Sequence, residues 1–164
     1  MTEPVFIAVK LLFILGFTLH NLEEALWLPK WSVLAKKFHK PVSSNEFIFA
    51  VIIITIIGYI LTLLDILISD SASYVHYLYA GFIGMIGLNA FFPHLVATVV
   101  IKKYSPGLIT GIFLNLPLSA IIIYEYLNRD INPYLFILSI TLISGVFLIS
   151  LKYLFKLGRR LIDI

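Results

Sequence analysis

Three ionisable side chains stand together inside an apolar stretch of this 164-residue sequence: His20, Glu23 and Glu24, within Leu19-His-Asn-Leu-Glu-Glu-Ala-Leu-Trp27. On a helix turning about 100° per residue they occupy i, i+3 and i+4, so all three project from one face about a turn apart. Zinc hydrolases use a helical ligand pair at i and i+4 with a carboxylate next to one of them. Here His20 and Glu24 have the ligand spacing. Glu23 is then the candidate general base, unless helix rotation exchanges the roles of the two glutamates, and His94 is the third ligand. An open fourth position would hold a water whose pKa the metal lowers. Zinc is the expected ion, with iron or manganese as the alternatives.

Other chemistries use the same residues. A metal-free hydrolase needs a carboxylate base and donors for an oxyanion, which Glu23, Glu24, His20, His94 and Asn89 could supply around a water. Membrane CAAX-type proteases are similar in these contents, though not in their order or spacing. A carboxylate-bridged di-iron centre takes roughly six ligands. The four strong ligands here would need a second chain, and so a homo-oligomer. A proton relay serving transport is a further reading, but five short spans without an inverted repeat argue against an alternating-access carrier. The non-enzymatic alternative is that interhelical hydrogen bonds satisfy every polar group. That reading is favoured for Asp65, His76 and Glu125, which fall near span ends, and His39 in a basic loop is expected to be solvated.

The cost of the constellation depends on its surroundings. Hydrophobic residues make up 60% of the chain and charged residues 13%, and mean hydropathy is +1.01. Soluble domains are nearer half apolar and a quarter charged, so the composition is that of an integral membrane protein. Cysteine is absent, which excludes disulfides, thiolate metal sites, cysteine nucleophiles and iron–sulfur clusters. The net charge of +3 comes with no basic stripe outside apolar context, so nucleic-acid binding has no support.

Five apolar segments suffice to cross a hydrocarbon core, which takes about 20 helical residues. They run over 5–28, 47–69, 74–101, 106–127 and 134–157, and the fold expected is an all-α five-helix membrane bundle forming a single domain. The first span lacks the basic start and small-residue cleavage site of a signal peptide and is expected to be retained. Pro29 is expected to end it. Lys30-Trp-Ser-Val-Leu-Ala-Lys-Lys-Phe-His-Lys40 suits either a short helix on an anionic membrane surface or a plain basic loop. Ser44 or Asn45 should cap the second span, Asp70 to Ser73 reads as a tight connection, and Pro106 should lie in the first turn of the fourth span. Gly81, Gly84 and Gly87 would let a neighbouring helix approach the third span closely.

Ten of the twelve Lys and Arg residues fall in the loops after spans one and three and in the C-terminal tail. By the positive-inside rule those loops are cytoplasmic, so the N-terminus is out and the C-terminus in. Glu24 and His20 then lie roughly 7 to 14 Å inside the cytoplasmic end of span one, at 1.5 Å per residue. His94 lies about 12 Å inside span three by the same rise, with Asn89 and Asn115 somewhat deeper. Even on a lenient scale an isolated charge there costs about 2.5 to 3.5 kcal/mol, so two adjacent acids call for a proton, a cation or a metal. A site at this depth suits a lipid or a lipidated peptide entering sideways from the bilayer.

His20-Asn-Leu-Glu23-Glu24, Asn89-Ala-Phe-Phe-Pro-His94 and Tyr104-Ser-Pro106-Gly107 together resemble the HxxEE, NxxxH and YxPG motifs of a bacterial membrane-protein family named for HXXEE. The resemblance covers roughly residues 18–117. It implies a multi-pass protein of the bacterial cytoplasmic membrane and adds Tyr104 to the site candidates, without an established reaction. The middle motif has one residue too many. On a regular helix that swings Asn89 and His94 about 140° apart, and their convergence rests on a bend at Pro93.

Overall fold

The computed structural model describes residues 1–38, 40–68, 74–129 and 131–162. Among them, five helices are long and apolar enough to cross a membrane: α1 Glu3–Ser32, α2 Ser44–Leu67, α3 Tyr74–Ile101, α4 Leu108–Leu127 and α5 Pro133–Ile162. His39 and the connection at 70–73 lie outside the described residues.

Aromatic and branched side chains from α1, α2 and α3 fill the centre. Phe82 meets Phe13 and Phe17 edge to face at centroid distances of 6.2 and 5.3 Å, a geometry the ring quadrupoles favour. Gly58 on α2 leaves room for that cluster, since a methyl there would come within 3.0 Å of Phe17 and 3.2 Å of Phe82. The glycines of α3 act as expected. A Cβ on Gly81 or Gly84 would strike Ser139 or Ile140 of α5, and one on Gly87 would press on Ser119 of α4. Helix α5 packs on α2 and α3 and turns most of its surface outward, as a lipid-facing helix does.

Several local expectations are corrected. Helix α1 runs through Pro29 to Ser32: a proline near a C-terminus forfeits one backbone bond and only a few residues remain beyond it. Of the two readings of the basic segment the loop is the one found: a run of tight turns closed by i to i+3 bonds, Trp31 to Leu34 through Ala35 to Phe38. Ser43 caps α2, because Ser43 and Glu46 form a reciprocal capping box, a pairing that neither Ser44 nor Asn45 could make with Glu46. Pro106 precedes α4, at the second position of a turn in which Leu108 N–H donates to Ser105 O at 3.1 Å. Gly107 follows it at φ 92°, ψ −13°, the type II conformation that favours glycine.

Helix α3 is broken in its second half. Phe92 is non-helical (φ −129°, ψ 117°), the Phe92–Pro93 peptide is cis, and Val96 N–H reaches back five residues to Phe91 O. Helix α4 has a similar wide turn, in which Leu116 N–H bonds Gly111 O. Such π-type turns widen the helix by one residue.

Candidate metal centre

The two wide turns face each other beside the polar stretch of α1. The break in α3 brings Asn89 and His94 together, with Asn89 Nδ2 3.1 Å from His94 Nε2. The residue that exceeds the NxxxH spacing is taken up by the wide turn. Asn89 Nδ2 also lies 3.3 Å from His20 Nε2, so its two amide protons face two imidazole nitrogens. Glu24 Oε1 is 3.0 Å from His94 Nε2 and 3.7 Å from His20 Nε2. One ligand atom from each of His20, Glu24 and His94 falls within 4.8 Å of the others. Both imidazoles are 1% exposed, whereas the Glu24 side chain keeps 15%, so the cluster opens on the side of Glu24.

Glu23 turns the other way. Its Oε1 accepts from the Tyr104 hydroxyl and from Gly107 N–H at 2.7 Å. Its Oε2 accepts from Thr110 Oγ1 at 2.6 Å and from Thr110 N–H at 3.4 Å. Gly107 and Thr110 are the N-cap and third residue of α4, so a carboxylate borne on α1 caps α4, where free N–H groups and the helix dipole favour an anion.

Thr110 transmits this arrangement to His20. The hydroxyl has a single proton, and its short contact to Glu23 uses it, so Thr110 Oγ1 accepts at its 3.0 Å contact with His20 Nδ1. The imidazole proton is thereby held on Nδ1 and the Nε2 lone pair is presented to Glu24, His94 and Asn89. Carboxylate–hydroxyl–imidazole chains of this kind orient metal-ligating histidines. On the other ring, Ser105 Oγ lies 3.5 Å from His94 Nδ1.

The motif glycine closes the site. A Cβ on Gly107 would approach His94 Cε1 to 2.6 Å and His20 Cε1 to 2.8 Å, and the positive φ independently favours glycine. Tyr104 lies between the spans, and partial burial, reinforced by its bond to Glu23, pushes its phenol up to about 12.

Asn115 sits apart from the metal-type cluster. It is fully buried against Gly16, one turn along α1 from His20, and neither side-chain polar atom has a partner. Thr110 and Ser105 went unrecognised in the sequence, although a Thr three residues beyond the turn glycine is a candidate for a helix's first turn. A second polar cluster was also missed. Asp65 accepts from Lys10 at 2.7 Å, His76 at 2.5 Å and Tyr126 at 2.5 Å, and the Lys10 side chain is only 3% exposed. Asp65 and His76 are thus satisfied by interhelical hydrogen bonds, as expected. Glu125 pairs with the N-terminus at 2.7 Å and with Arg129 at 3.5 Å.

Fold and site together define an all-helical protein with five potential membrane spans around a buried His–Glu–His cluster. The family described as "Protein of unknown function with HXXEE motif" matches residues 11–122, and the chain belongs to it. It is 44% identical over 149 residues to a Bacillus subtilis (strain 168) protein, "Uncharacterized protein YrkK", a match covering 90% of this chain and 94% of the relative. No solved structure matches.

Proposed function

We propose that this protein is a membrane-embedded metal-dependent enzyme, a hydrolase acting on a lipid or lipidated substrate reached from the inner leaflet of the bacterial cytoplasmic membrane. The observation that carries the reading is the convergence of one ligand atom from each of His20, Glu24 and His94 within 4.8 Å, inside an apolar bundle. Two imidazoles and one carboxylate match the donor set of mononuclear zinc hydrolases, which leave a fourth position open. Iron or manganese could use the same donors. A divalent ion there supplies Lewis acidity for a carbonyl or phosphoryl oxygen and lowers the pKa of water.

The residues around it have separate tasks. Asn89 is a hydrogen-bond donor beside the ligands, suited to an oxygen that gains negative charge. The bonds made by Glu23 favour a positioning role over the general base expected from its place in the motif, since both of its oxygens are engaged by the loop and α4. Glu24 forms the accessible edge through which substrate would approach. The distribution of Lys and Arg supports an N-terminus-out orientation, in which this edge would lie in the inner leaflet.

Elemental analysis of protein purified in mild detergent without chelator tests the reading. One equivalent of divalent metal is expected, lost in His20→Ala, His94→Ala and Glu24→Gln. Wild-type protein that takes up no zinc, iron or manganese on reconstitution would overturn it.

A further inference from the structure

The cluster around Asp65 lies at the far end of the bundle from the metal-type site. It borders a cavity of about 420 Å³ lined by Lys10, Asp65, His76 and Tyr126, with Phe6, Ile7, Ile66, Ile68 and Ile131 as apolar walls and Glu3 and Arg129 alongside. That volume is within the range of small-ligand sites. One acid holds four helices together here, with Lys10 from α1, Asp65 from α2, His76 from α3 and Tyr126 from α4.

Lys10 is the unusual member. It is a primary amine, 3% exposed, with its nitrogen 4.1 Å from the centroid of Phe6 and 5.4 Å from that of Tyr126. Charged side chains buried within membrane spans are costly and mark functional sites by default. A pure structural lock would require no cavity beside its lysine. A buried lysine whose amine borders a cavity can form an imine with a carbonyl compound.

We propose that Lys10 is a covalent attachment site for an apolar aldehyde, held in this cavity as a protonated imine. Asp65, 2.7 Å from the ammonium, accepts a proton from it. The free amine adds to the aldehyde carbon, forming a C–N bond and a carbinolamine. Loss of its hydroxyl as water, using the proton held by Asp65, leaves a C=N bond that carries the positive charge. Charge is conserved, because one ammonium becomes one iminium and one water is released. Asp65 therefore faces a single cation before and after, and its bonds from His76 and Tyr126 need not change. The apolar walls take the chain of the aldehyde and keep bulk water from hydrolysing the imine.

This proposal does not depend on the metal reading, since no residue is shared between the two sites. The test uses full-length protein in mild detergent, incubated with decanal, reduced with cyanoborohydride, digested and mapped by mass spectrometry. The reduced decyl adduct is expected on Lys10 at an occupancy about tenfold above that of the exposed lysines. Lys10→Arg preserves the cation opposite Asp65 but cannot form an imine. It should fold and lose that adduct while surface labelling is unchanged. Adducts confined to exposed lysines in the wild type, or equal labelling of Lys10 in folded and urea-denatured protein, would overturn the proposal.

Discussion

Thr110→Val removes one hydroxyl and keeps the side-chain shape, so it isolates the link between Glu23 and His20. The variant loses donation to Glu23 Oε2 at 2.6 Å and acceptance from His20 Nδ1 at 3.0 Å. A hydrogen bond to a charged group contributes about 1.5 to 3 kcal/mol, and a buried imidazole donor left without an acceptor costs about 1 to 3 kcal/mol. His20 can recover part of that by moving its proton to Nε2, but this masks the lone pair that a metal needs. Whatever stabilises the wrong tautomer therefore weakens metal binding. Changes to such outer partners reduce metal affinity by about 10- to 100-fold, or about 1.4 to 2.8 kcal/mol, in line with the loss of one such bond. The assay is zinc affinity by competition with a chromophoric chelator in detergent. Thr110→Val should bind 10- to 100-fold more weakly, and Thr110→Ser, which restores the hydroxyl, should recover most of the loss. Unchanged affinity in Thr110→Val, with the fold intact by circular dichroism, would refute the tautomer argument.

Gly107→Ala should lose both bound metal and thermal stability. Its Cβ would lie 2.6 Å from His94 Cε1, and the left-handed backbone alone costs a non-glycine residue about 1 to 2 kcal/mol; metal content and melting temperature report the two effects. Lys10→Met should destabilise by about 3 to 5 kcal/mol, because the buried Asp65 loses its ammonium partner and keeps only His76 and Tyr126. Adding Asp65→Asn should restore most of that in urea melts, and failure of the double variant to recover would refute the pairing argument. For Tyr104, a phenol whose folded pKa is about 12 against an ordinary value of 10 contributes stability that is present below pH 10 and lost as pH rises toward 12. Melts from pH 9 to 12 should therefore show a steeper decline in the wild type than in Tyr104→Phe, and parallel curves would contradict the assignment.

The five helices were legible because hydropathy and length decide them. The grouping of His20 with Glu24 followed from helical spacing, and the placement of His94 beside them from counting residues inward from the span ends. What escaped notice depended on contacts between segments far apart in sequence. Nothing local to Glu23 announces that Thr110, 87 residues away, will engage it. The direction in which each carboxylate turns is a matter of helix rotation, which periodicity leaves open when two adjacent acids flank one histidine. Lys10 is a cation in an apolar run and Asp65 an acid near a span end. Their pairing requires α1 and α2 to be antiparallel neighbours, a relation given by packing. Pro29 and Ser43 show a smaller kind of error: helix ends are set by single hydrogen bonds, so an end shifts by a residue or more when one cap is better than another.

The wide turn in α3 bears on how such proteins can change length. In a regular membrane helix an inserted residue rotates everything beyond it by about 100°, which would turn polar side chains into lipid. Here the turn ending at Val96 takes up the additional residue, so Thr98 still meets the backbone of Ser105 at 3.0 Å and the loop still reaches Glu23. Asn89 and His94 thus stand five apart in sequence while their side-chain nitrogens lie 3.1 Å from each other. A pattern search that insists on three intervening residues would pass over a chain in which the same two groups meet.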